Sequence, residues 1–166
     1  LLCKLYLTVI RGTPSTVQLL IMYFIIFGSS QNMMAAAIIS FGVNSGAYVA
    51  EIVRSGIMSI PKGQMEAGRS LGLNYATTMR CIIIPQAIKN ILPALANELV
   101  TMVKESSICS VLGMTELIWG AKTVATTTYK TLSPYVLAAL VYFVINYPAG
   151  KAIEAIERRM RRGDRI

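Results

Sequence analysis

Four long apolar runs alternate with polar stretches along this chain. The first covers roughly 14–30 and includes Leu19-Leu20-Ile21-Met22-Tyr23-Phe24-Ile25-Ile26. The second, 33–52, begins Met33-Met34-Ala35-Ala36-Ala37. The third, 91–113, carries Glu98, Lys104 and Glu105 on an apolar background. The fourth, 134–153, contains Tyr135-Val136-Leu137-Ala138-Ala139-Leu140. A helix crosses a bilayer with about 20 mostly apolar residues, so each run is a candidate span. The runs are continuous, where a membrane barrel would show short alternating segments, so helices are expected. The stretch Leu5 to Ile10 either lengthens the first run or closes an earlier element. The expected fold is all-α: a polytopic transmembrane helix bundle with four spans, a long polar loop over 54–90 and a charged tail over 154–166.

Composition agrees with membrane residence. Of 166 residues, 54% are hydrophobic and 14% charged, against about 25% charged in average soluble domains. Histidine is absent, which removes Ser-His-Asp and Cys-His catalysis and histidine metal sites from this chain. Cys3, Cys81 and Cys109 have no metal-ligand spacing, so no metal site is expected. The net charge is +8. Thirteen of the sixteen basic residues lie before the first run, in the loop or near the C-terminus. Four spans put these regions on one side, and an excess of Lys and Arg marks the cytoplasm. The opposite side keeps Lys122 and Lys130. The charge is therefore a topology and anionic-lipid signal, with no nucleic acid as partner. Trp119 and Tyr135 fit interfacial anchors. The start at Leu1, inside an apolar run, reads as a fragment.

Two features carry candidate function. In the loop, Pro61 suits a first helical turn, Gly72 a left-handed stop and Asn74 the cap of a second helix. Pro85 and Pro93 are expected to break or kink the path into the third span. Ala67, Gly68 and Gly72 would let another surface approach the backbone. A docking surface and an ordinary surface hairpin are both consistent with this. Inside the membrane, Asn97, Glu98, Thr101, Lys104 and Glu105 recur at helical spacing beside Ser106. Asn44, Tyr48 and Glu51 do the same on the second span. Intramembrane ionisable groups are costly and usually functional. Two such stripes could line one aqueous cavity, with Glu105 meeting an ammonium and Lys104 a carboxylate. Alternatively, Lys104 pairs with a neighbouring helix and fixes packing. Glu51 lies near Arg54, as a gate or an interfacial ion pair would.

The loop resembles the EAA motif of the membrane subunits of bacterial ABC importers. Glu66-Ala67-Gly68, Gly72 and Ile82-Ile83-Ile84-Pro85 match it, with Gly68 where the pattern has Ala and Ile84 where it has Leu. Around it, Arg11-Gly12-Thr13-Pro14, Ala47 to Gly56, Ile60 to Gln64, Ser70-Leu71-Gly72, Pro85-Gln86-Ala87 and Lys104-Glu105-Ser106-Ser107 are similar to the polar amino-acid branch. The resemblance runs from about Arg11 to Arg162 and implies a type I permease core with a cytoplasmic coupling helix. It implies that Gly63, Gln64, Glu66, Ala67, Gly68, Leu71 and Gly72 contact an ATP-binding subunit. It implies alternating access in a bacterial inner membrane, with the loop and C-terminus cytoplasmic. It also implies an identical or related second permease, an extracytoplasmic substrate-binding protein and a polar amino-acid substrate. The family has one further N-terminal helix. This chain has no phosphate-loop pattern, so ATP and magnesium are expected on the partner, with no cofactor here. The competing readings are a membrane anchoring subunit without its own pathway and an intramembrane acid/base enzyme using Glu98 or Glu105.

Overall fold

The computed structural model describes residues 1–28 and 32–161. Ser29 and Ser30 of the first run, and Arg162 and Arg165 of the tail, lie outside the described residues. Every regular element among the described residues is helical. By contacts the chain forms two compact units, Leu1–Tyr48 with Leu99–Gly150, and Val49–Glu98 with Lys151–Ile166.

The first unit opens with α1 (Leu2–Gly12) and α2 (Ser15–Ile21), whose last turn passes into a π-helical stretch, Met22–Ile26. A residue before proline is driven out of the helical region, and Thr13 before Pro14 is extended, with φ −119°. The two helices consequently meet at 107°. Leu5 to Ile10 thus belongs to a separate helix, bent sharply from the first run. The next helix is α3 (Met33–Met58). Its packed face is made of small residues: Ala36, Ala37, Ser40 and Ala47 are all buried. Small side chains let backbones come close, and the Tyr6 hydroxyl sits 3.2 Å from where a Cβ on Gly46 would lie. Leu19, Ala37, Cys109 and Leu112 form the buried cluster of this unit. Large apolar side chains such as Phe24, Ile25, Leu140, Val144 and Phe143 face outward. That exposure would be costly in water and is ordinary solvation in lipid.

The second unit contains the end of α3, then α4 (Lys62–Ser70), α5 (Tyr75–Thr78) and a π stretch, Met79–Ile83. The start of α6 (Ile84–Glu105) and the end of α8 (Leu132–Arg161) complete it. Gly56 on α3 has no room for a Cβ, because the Ile91 side chain of α6 fills that place. Asn90 donates to Ser59 Oγ at 2.9 Å across the same contact.

Several expected boundaries move. Helical structure runs unbroken from Tyr75 to Leu112, so Pro85 and Pro93 do not break it. The reason is local at Pro85: Ile84 N–H already reaches back five residues to the Met79 carbonyl. The π turn places the proline, which has no N–H, at a seam where the ladder is re-registered. A 3-10 segment, Ser106–Leu112, follows α6 and ends on Gly113 at φ 81°. The connection carrying Trp119 is itself a helix, α7 (Leu117–Thr128). In α8 the helix continues through Pro148 into the charged tail. There Lys151 pairs with Glu154 at 2.9 Å, a surface contact of small weight. Among the described residues, two helices, Met33–Met58 and Leu132–Met160, are each long and apolar enough to cross a membrane. The bent pairs Leu2–Gly12 with Ser15–Ile26, and Tyr75–Leu112 with Leu117–Thr128, raise this to four if each pair is one span.

Candidate functional site

The polar loop folds into a helical hairpin. α4 starts after Pro61 and ends in a full left-handed cap, with Gly72 at φ 84°. Gly72 N–H reaches the Arg69 carbonyl at 3.0 Å and Leu73 N–H the Gly68 carbonyl at 3.1 Å, the paired closure of a Schellman turn. Asn74 then caps α5, accepting from Thr77 N–H at 2.8 Å. Gly63, Gln64, Glu66, Ala67, Leu71 and Gly72 are exposed, and Leu71 is 81% exposed. Among the residues expected to contact an ATPase, Gly68 differs. It is buried, and an added Cβ would lie 2.5 Å from Thr78 Cγ2. An alanine here, as in the Glu-Ala-Ala pattern, would require Thr78 to move.

On α3 the polar stripe is engaged by its neighbours. Asn44 is 5% exposed and donates to Gln18 Oε1 at 2.9 Å. Gln18 Nε2 in turn donates to the Ile10 carbonyl at 2.7 Å and to Thr13 Oγ1 at 2.8 Å. One glutamine thus ties the α1–α2 corner to α3. Arg11 lies 5.7 Å over the Tyr48 ring, within cation–π range. Beyond the apolar part of α3, Arg54 Nε donates to Glu51 Oε2 at 3.0 Å. On α6, Asn97 and Lys104 are exposed, while Glu98, Thr101 and Glu105 are half-buried.

The first unit holds a cavity of about 590 Å³, lined on one side by Met34, Ile38 and Phe41 and on the other by Met102, Ser106, Thr115 and Glu116. Of the expected pathway residues only Ser106 lines it. Its carboxylate is Glu116, which the sequence reading did not single out. Glu116 caps α7, accepting from Ile118 N–H at 2.8 Å and from Trp119 N–H, and the Tyr142 hydroxyl donates to it at 3.3 Å. The available signal was an acidic residue directly ahead of the apolar Leu117-Ile118-Trp119. Gln18 was equally readable as an amide inside an apolar run. Among the described residues, no group of His, Cys, Asp and Glu side chains could hold a metal ion.

An all-helical membrane chain with an exposed helical hairpin and a cavity between helices has the parts of a transport component. The chain belongs to the binding-protein-dependent transport system inner membrane component family, whose pattern matches residues 2–162. It is 40% identical over 162 residues to the arginine transport system permease protein ArtQ of Bacillus subtilis (strain 168), covering 96% of this chain and 74% of that one. It is 35% identical to the L-cystine transport system permease protein TcyB of the same organism, covering 96% of this chain and 69% of the relative. The fold is similar to the crystal structure of an amino acid ABC transporter with histidines. The TM-score is 0.87 at 46% identity, covering 94% of this chain and 74% of the other. The chain is therefore a non-enzymatic membrane permease subunit, and ATPase activity belongs to a separate partner. The intramembrane enzyme reading is set aside on that ground.

Proposed function

We propose that this chain is the membrane-spanning subunit of an ATP-driven importer for a polar amino acid. The similarity to amino-acid permeases over nearly its whole length carries that reading. In it, a soluble binding protein delivers substrate from outside, and a separate subunit hydrolyses ATP with magnesium. A second permease chain, identical or related, completes the pathway. The exposed face of α4 with its capping turn (Gly63, Gln64, Glu66, Ala67, Leu71 and Gly72) meets the ATP-binding subunit, with the 54–90 loop and the C-terminal tail cytoplasmic. What supports this side is the concentration of Lys and Arg there.

For the pathway, the cavity bearing Ser106 and Glu116 is the first choice. A substrate ammonium needs a carboxylate partner, and the attraction between them is stronger beside apolar walls than in bulk water. Asn97, Glu98, Thr101, Lys104 and Glu105 keep their proposed places along α6. Asn44 and Tyr48 act by holding the helices.

Reconstitution with the neighbouring ATP-binding subunit and binding protein tests the reading. Labelled amino acid is expected to accumulate only with ATP on the loop side. Glu116→Gln, which keeps an acceptor for the α7 cap, is expected to lower import about tenfold or more while the complex still assembles. ATP-dependent uptake that is indifferent to this change would remove Glu116 from the pathway. Absence of uptake for every amino acid bound by the partner protein would leave the anchoring reading in its place.

A further inference from the structure

Within the proposed coupling hairpin, Gly68 faces inward while its neighbours face out. A Cβ on Gly68 would lie 2.5 Å from Thr78 Cγ2, 3.0 Å from Thr78 Oγ1 and 3.2 Å from Ile82 Cδ1. The same test at Gly63 and Gly72 meets nothing within 4 Å. Ile82 could yield, because only the far end of its side chain is involved. Thr78 is constrained: it is fully buried and its hydroxyl donates to the Asn74 carbonyl at 3.0 Å. A branched side chain on a helix also has few rotamers to move into. The Gly68 carbonyl, for its part, receives Leu73 N–H. A shift at residue 68 is thereby passed to the turn that presents Leu71 and Gly72.

We infer that Gly68 and Thr78 are a size-matched pair of positioning residues, which sets the exposed face of α4 against α5 and so the transmission of the ATPase's movement to the membrane helices. The inference rests on the reading of α4 as the coupling element. It goes further in assigning Thr78, a buried residue that touches no partner, a part in coupling. The missing methyl at 68 and the present methyl at 78 occupy one space, so either residue can carry it and not both.

The test compares the parent with Gly68→Ala, Thr78→Ser, Gly68→Ala/Thr78→Ser and Gly68→Ala/Thr78→Val, each reconstituted with its ATP-binding subunit and binding protein. The readouts are amino acid imported per ATP hydrolysed and the thermal midpoint of the complex. Gly68→Ala is expected to lower import per ATP about tenfold, the scale of a modest overpacking penalty. Adding Thr78→Ser removes Cγ2, keeps the hydroxyl, and is expected to restore the parent ratio to within about twofold. Thr78→Val keeps the clashing methyl and is expected to restore nothing. Should Gly68→Ala alone fail to assemble, recovery of folded complex with Ser and not with Val supports the pair equally. Parent-like coupling in Gly68→Ala, or a Ser double variant no better than Gly68→Ala, overturns it. Leu71→Asp separates the coupling reading itself, since that exposed position leaves the packing alone. Normal coupling and normal ATPase retention in Leu71→Asp would dismiss α4 as the coupling element, whereas the pair's packing is judged only by the variants at 68 and 78.

Discussion

Gln18 and Asn44 show how much one amide can organise inside an apolar environment. Gln18 satisfies backbone and hydroxyl acceptors at the α1–α2 corner and offers its own oxygen to Asn44. A buried amide that loses its partner costs about 1–3 kcal/mol, whereas losing both partners together costs less. Asn44→Leu or Gln18→Leu alone is therefore expected to lower the thermal midpoint in detergent clearly. The double change is expected to fall short of the sum by about 0.5–3 kcal/mol. Additive losses would mean the two amides do not act as a unit. From sequence, the helical spacing of Asn44, Tyr48 and Glu51 was visible, as was the Glu51–Arg54 pairing, while the engagement of Asn44 with Gln18 and of Tyr48 with Arg11 was not. Spacing reports a shared face of one helix; whether that face meets water or another amide depends on the neighbouring helix.

Among the elements, the α4–α5 hairpin was the most legible, because each of its boundaries is set by a residue with one strong local preference: Pro61, Gly72 and Asn74. These glycines should respond differently to substitution. Gly72 has open space but a left-handed backbone, with φ 84°, so its cost is conformational. Gly72→Ala is expected to destabilise by about 1 kcal/mol, Gly72→Asn by less and Gly72→Val by more. Gly63 is an ordinary helical position with open space, and Gly63→Ala is expected to stabilise by about 0.5–1 kcal/mol. Thermal melts of the four variants check the ranking. α7 was the least legible element. Its Thr123, Thr126, Thr127 and Thr128 look like a polar connection, yet each hydroxyl donates to a carbonyl of the preceding turn. These polar groups are used up within the helix, and the Glu116 cap completes it. At Pro85 the helix continues for a related reason, since the π turn before it supplies the register that a proline needs.

At the scale of the whole molecule, the bilayer replaces the large buried core a soluble chain would require. The all-helical membrane class followed from the continuity of the apolar runs. The 107° corner at Pro14 could not be read from their lengths. Sidedness is open to a direct check with the chain's own thiols. Cys3 and Cys81 are exposed and Cys109 is buried. In a Cys3→Ser variant, a membrane-impermeant maleimide is expected to label Cys81 in inverted vesicles and not in intact cells. Labelling from outside the cell would reverse the assigned orientation, and with it the cytoplasmic place of α4.

The small-residue face of α3 gives this chain an unusual map of tolerance. In a water-soluble domain the largest apolar residues are usually the least replaceable. Here Ala36 and Ala47 have no exposed surface at all, while Ile38 and Ile39 between them are open. A saturation scan of residues 33–48 would therefore be inverted. An exposed bulky position such as Ile39 should accept other large apolar side chains freely, and the alanines should reject even an added ethyl group. Along this helix, selection acts hardest where there is least side chain to see.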